Sequence, residues 1–150
     1  METRDEKIIL KSRHESRTLS FYYLYVAESF EYAININDIV DMFETGFGIE
    51  AKFKTLALEL AYKSITERDR LDKIIEPLLK NWKLDRLSVI TRLILRMSII
   101  EMEMGETPSS IVINEAIELA KCFAENDAYK FINGILDNIK KNLNISNDNE

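Results

Sequence analysis

One cysteine and one histidine are all the chain has of the two commonest soft metal ligands. No disulfide can form within it, and neither a cysteine-based metal centre nor a multi-histidine zinc site can be built. Two prolines and four glycines are few for 150 residues, which argues against a turn-rich β architecture and for long helices. No window approaches 18 uninterrupted apolar residues, so no membrane-spanning helix is expected. The opening METRDEKIILKSRHESR is too charged for a secretory signal, and its apolar run is too short. The cytoplasm is the expected location. A phosphate loop is missing as well, because Gly46-Phe47-Gly48 has neither a preceding strand nor a following Lys-Ser/Thr. A di-iron bundle would need Glu-x-x-His motifs, which do not occur. No catalytic, metal or cofactor constellation is left, and the expectation is a binding protein that is not an enzyme.

What is present is ordinary in bulk and uneven in detail. Apolar residues make up 46% and charged residues 31%, as in soluble globular chains. The length suits one domain or two small subdomains with a real core. A net charge of −6 counts against a stand-alone nucleic-acid binder. The first twenty residues go the other way: Arg4, Lys7, Lys11, Arg13 and Arg17 outnumber Glu2, Asp5, Glu6 and Glu15. A locally basic start on an acidic body suits an anion at one place and a basic partner at another. A solvated helix face of mixed charge is the plainer reading.

Apolar spacing predicts an all-α fold of about seven helices. The first runs from about Glu6 to Ala33, and the second, capped by Asn37, through Thr45. The third spans about Glu50 to Ser64. The next begins at Thr66, and Pro77 should kink or tighten it. The segment from Asp85 is apolar on nearly every face apart from Arg86, Arg92 and Arg96, as befits a central helix. Gly105 and Pro108 end it. A helix capped by Ser109 or Ser110 follows, and one capped by Asn126 or Asp127 closes the fold with Ile132, Ile135, Leu136 and Ile139 inward. These helices divide into two small bundles near the Gly46–Glu50 loop or near Ser64–Thr66, the latter giving subdomains of about 1–65 and 66–141, with a frayed polar tail over 142–150.

The residues suggesting recognition lie near the two ends. Arg13 and Arg17 are four apart on one helical face, and Tyr22, Tyr23 and Tyr25 follow. Cations followed by aromatics suit an RNA backbone and an unstacked base. At least one of Tyr22 and Tyr23 belongs to the core stripe, whereas Tyr25 lies off it. Lys130 and Phe131 fall in the first turn of the last helix, where backbone N–H groups favour a phosphate. Phe131 is a candidate base-stacking ring, with a core position as the alternative. His14 reads as a surface residue and Cys122 as a small packing residue. Gly134 in mid-helix costs roughly 1 kcal/mol relative to Ala, so a close helix approach is expected there.

The segments DRLDKIIEPLLKNWKLDRLSVITRLILRMSIIEME and PSSIVINEAIELAKCFAENDAYKFINGILDNI resemble the transcription antitermination factor NusB family. Trp82, Leu95-Arg96, the INEAIELAK run from Ile113 and the KFINGILD run from Lys130 come in that family's order. The likeness is strong over about 68–140 and weaker over the first helix. It implies two three-helix subdomains, pairing with the ribosomal protein NusE, binding to single-stranded boxA of nascent ribosomal RNA, and work within the RNA polymerase elongation complex. It further implies phosphate contacts from Arg13 and Arg17, with Tyr25, Lys130 and Phe131 near RNA. Carboxylates around Glu76, or on the central helix, would face NusE. Asn114 and Glu115 would tie the two C-terminal helices together by hydrogen bonds.

The family's opening holds a denser arginine cluster, whereas Glu15 here separates the pair. Fewer cations should lower intrinsic RNA affinity, so greater reliance on the basic partner is expected. Two alternatives stand beside this reading. One is the NusB-like module of a ribosomal-RNA methyltransferase, if the chain is a fragment. The other is a helical protein–protein adaptor that never touches RNA. Homodimerisation is left open by the sequence.

Overall fold

The computed structural model describes the backbone of residues 8–10, 12–51, 54–80 and 83–148, and side chains over 12–48, 55–80 and 83–143. Arg4, Lys7, Lys11 and Trp82 lie outside these residues or side chains. The described residues form seven α-helices and one short parallel strand pair. Backbone contacts divide the chain into two compact units, residues 1–62 and 63–150.

The first unit opens with strand β1 (Ile8–Leu10), followed by helices α1 (Arg13–Ser29) and α2 (Ile36–Phe47) and strand β2 (Ile49–Ala51). The strands pair in parallel, Ile8 opposite Ile49. Helix is therefore not continuous from Glu6, and the third helix does not begin at Glu50. Both apolar stretches are β-branched, Ile8-Ile9 and Ile49, a preference that short helical pattern-matching overlooks. Ser12 caps α1 by accepting the Glu15 amide at 3.2 Å. Asn35, not Asn37, caps α2, with its side chain accepting the Asn37 amide at 2.8 Å. Gly48 then ends α2 in a left-handed conformation that suits glycine. Inside the unit, Tyr23 meets Phe43 edge-on at 5.2 Å. Leu24, Ile39 and Val40 are buried.

Helix α3 (Lys54–Thr66) spans the boundary between the units. Beyond it come α4 (Arg68–Ile75), α5 (Val89–Met104), α6 (Ser109–Phe123) and α7 (Ala128–Asp148). Pro77 tightens the chain as expected: α4 gives way to a 3-10 turn over Glu76–Leu78. Helix α5 is capped by Ser88 and is central, buried at every position from Leu93 to Met102. Helices α6 and α7 pack on it and on each other, and α4 packs against it. Gly105 in the left-handed region closes α5. Pro108, rather than Ser109 or Ser110, precedes the first turn of α6, without a side-chain cap. Ile132, Ile135, Leu136 and Ile139 are buried as the spacing predicts. Helix α7 continues past Lys141 to Asp148.

Candidate nucleic-acid interface

Helix α1 carries the first group of candidate residues. Arg13 is its first residue and is exposed, so its charge adds to the positive end of the helix. Glu15 in the same turn opposes it. Arg17 lies elsewhere, only 4% exposed. The expected two-cation phosphate contact is therefore corrected: one turn along the helix rotates Arg17 into the buried stripe with Ser16 and Ser20. Tyr23 is buried, and Tyr25 stands off the stripe at 48% exposure. The residue that sequence reasoning left undecided is Tyr22, which proves exposed at 40%. The buried ring of Phe21 supports both, with centroids 6.2 Å from Tyr22 and 6.5 Å from Tyr25. His14 is exposed, as read.

The second group lies at the α6–α7 corner, within the second unit. Asp127 turns the chain with φ of 70°, a conformation that Asp tolerates better than most side chains. Helix α7 then starts at Ala128. Lys130 is exposed, with its ammonium 3.5 Å from the Asp127 carboxylate. The ring of Tyr129 has the Lys121 ammonium 5.0 Å from its centroid and that of Lys130 at 5.9 Å. This cation–π group joins residues from two helices, and no local spacing in the sequence announces it. Phe131 is half-buried beside a cleft of about 260 Å³ that Arg86, Thr91 and Asn126 also line. Its ring belongs neither wholly to the core nor wholly to solvent.

Glu76 is exposed at the start of the 3-10 turn. It lines a cleft of about 510 Å³ with Lys83, Leu84, Asp85 and Arg92. The Arg92 Nε atom is buried without a hydrogen-bond partner among the described residues. Such a mixture of charges suits a protein surface better than a polyanion.

Two further expectations meet the structure less well. Gly134 is exposed, and a Cβ placed there would meet nothing within 4 Å. Among the described residues no helix approaches it closely, so the packing role is corrected. Cys122 is exposed rather than packed, one position off the buried stripe of α6. Asn114 is exposed and Glu115 half-buried.

The described helices define an all-α protein that carries Arg13, Tyr25 and Lys130 at its surface. The NusB family profile matches residues 14–141. The chain belongs to the NusB family. It is 39% identical over 132 residues to the transcription antitermination protein NusB of Macrococcus caseolyticus (strain JCSC5402), covering 87% of this chain and 98% of that one. The solved NusB of T. maritima superposes with a TM-score of 0.77 at 31% identity, covering 88% of this chain and 92% of that one. A crystal structure of antitermination factors NusB and NusE in complex with dsRNA gives 0.74 at 26% identity, over 86% and 96% of the two chains.

Proposed function

We propose that this protein is an RNA-binding transcription antitermination factor that acts in the cytoplasm, pairs with NusE and engages the boxA element of nascent ribosomal RNA within the RNA polymerase elongation complex. The observation that carries the reading is the family match over nearly the whole chain, together with a relative solved with both NusE and RNA. Two surface groups give it chemistry. On α1, exposed Arg13 offers a phosphate contact at a positive helix end, and Tyr25 offers a ring. On α7, Lys130 and Phe131 offer the same pair of chemistries. Arg17, being buried, is left out of the contact set. Glu76 and its mixed-charge cleft are assigned to the protein partner, whose basic surface complements an acidic chain.

The solved relative holds duplex RNA, so the single-stranded element is part of the proposal. Titrating single-stranded boxA RNA with the protein alone and with NusE present tests it. Weak binding alone and tighter binding with NusE is the expected result; equal affinities would end the claim of partner dependence. Arg13→Ala should reduce the salt slope by about 0.7, the contribution of one phosphate on a single strand. A protein–protein adaptor would show no RNA binding in either arm.

A further inference from the structure

Tyr22 is an exposed aromatic that the RNA reading has not used. With His14, Thr18, Tyr25 and Ser29 it falls on one stripe of α1, each residue three or four from the next. That stripe contains no carboxylate, in a chain whose net charge is −6. Thr18 and Ser29 turn their hydroxyls back onto the helix, donating to the carbonyls of His14 at 3.2 Å and Tyr25 at 2.7 Å. Exposed His14 and the two tyrosine rings are therefore what projects from the stripe. The tyrosine planes tilt by 53° and 38° from the ring of Phe21, which is only 3% exposed and anchors both. At the N-terminal end of the same helix stands exposed Arg13.

Exposed apolar side chains scattered singly need no explanation. Two rings on one carboxylate-free stripe, held by one buried anchor and continuous with a positive helix end, form a distinct arrangement. We infer that Tyr22 and Tyr25 together are a two-ring stacking platform for unpaired bases of single-stranded RNA, with the backbone led toward Arg13. The inference rests on the RNA-binding reading and adds a second ring to it. It also describes a change in the source of affinity. Stacking releases no counterions, so binding through rings survives added salt better than binding through phosphate contacts.

The test uses the full chain with NusE and two labelled probes: a single-stranded oligoribonucleotide from the ribosomal RNA leader, and its annealed duplex. Tyr22→Leu keeps apolar bulk and removes the π face, whereas Tyr22→Phe keeps the ring. On the single strand, Tyr22→Leu should weaken binding roughly 5- to 100-fold, the range base stacking on one aromatic supplies. Its plot of log affinity against log salt should run parallel to that of the unaltered protein, and Tyr22→Phe should bind as the unaltered protein does. Unchanged single-strand binding by Tyr22→Leu, while the unaltered protein binds, overturns the platform alone. An equal loss on the duplex, which offers no unpaired base, also overturns it. So does loss of NusE binding by Tyr22→Leu with RNA binding intact. If the unaltered protein binds neither probe, the RNA reading itself falls and the platform with it.

Discussion

Arg96 carries a full charge into the apolar centre of the second unit, where it is only 5% exposed. Asp72 meets it with two hydrogen bonds of 2.8 Å, a bidentate pair that pins α4 against α5. Removing the carboxylate takes two charge-assisted hydrogen bonds away from a buried guanidinium. Asp72→Ala should therefore lower unfolding free energy by about 3 kcal/mol, measured by urea denaturation at neutral pH. Tyr23 gives a second prediction at this scale. Burial, and then the charge of Glu44, pushes its phenol from 10.0 up to about 12. The unfolded chain releases that proton near pH 10, while the folded one holds it until about 12. Stability should thus fall as pH rises across that window, and Tyr23→Phe should flatten this part of the profile.

Helix α7 shows how far one element can be read from its letters. Its buried stripe follows from apolar spacing alone, and so does the surface position of Lys130. The place of Gly134 does not. A glycine in mid-helix implies either a neighbour that needs room or an exposed position that tolerates the cost, and only tertiary structure separates them. Here the space is open. Gly134→Ala should accordingly raise stability by roughly 1 kcal/mol, seen as a higher urea midpoint with an unchanged slope. Helix α1 teaches a similar lesson. Four-residue spacing places Arg13 and Arg17 near one face, but each step of four rotates the chain by about 40°, enough to separate exposed Arg13 from buried Arg17. The two short strands escaped notice because three residues are too few to establish a period. The Lys121–Tyr129 contact escaped because its partners sit on different helices.

On the scale of the whole molecule, the class of fold was legible because almost every helix has strong periodicity and few breakers. The surface chemistry was only partly so, because exposure depends on which residues neighbouring elements cover. Charge is also a property of the whole. An acidic chain repels RNA at long range and attracts a basic protein, so tight RNA binding should appear when a basic partner supplies the attraction. The proposed dependence on NusE would express that balance. Ring stacking on α1 acts at contact distance and escapes it.

The ladder that joins Ile8–Leu10 to Ile49–Ala51 sets an order in time. During synthesis, strand β1 leaves the ribosome before β2 has been made. At translation rates of roughly 5–20 residues per second, the wait lasts on the order of seconds. Helices α1 and α2 can wind meanwhile, since helix formation takes microseconds or less. The parallel pairing then has a long loop to close. The segment leading into Arg13 therefore acquires its fixed start only after the helix that follows it has formed.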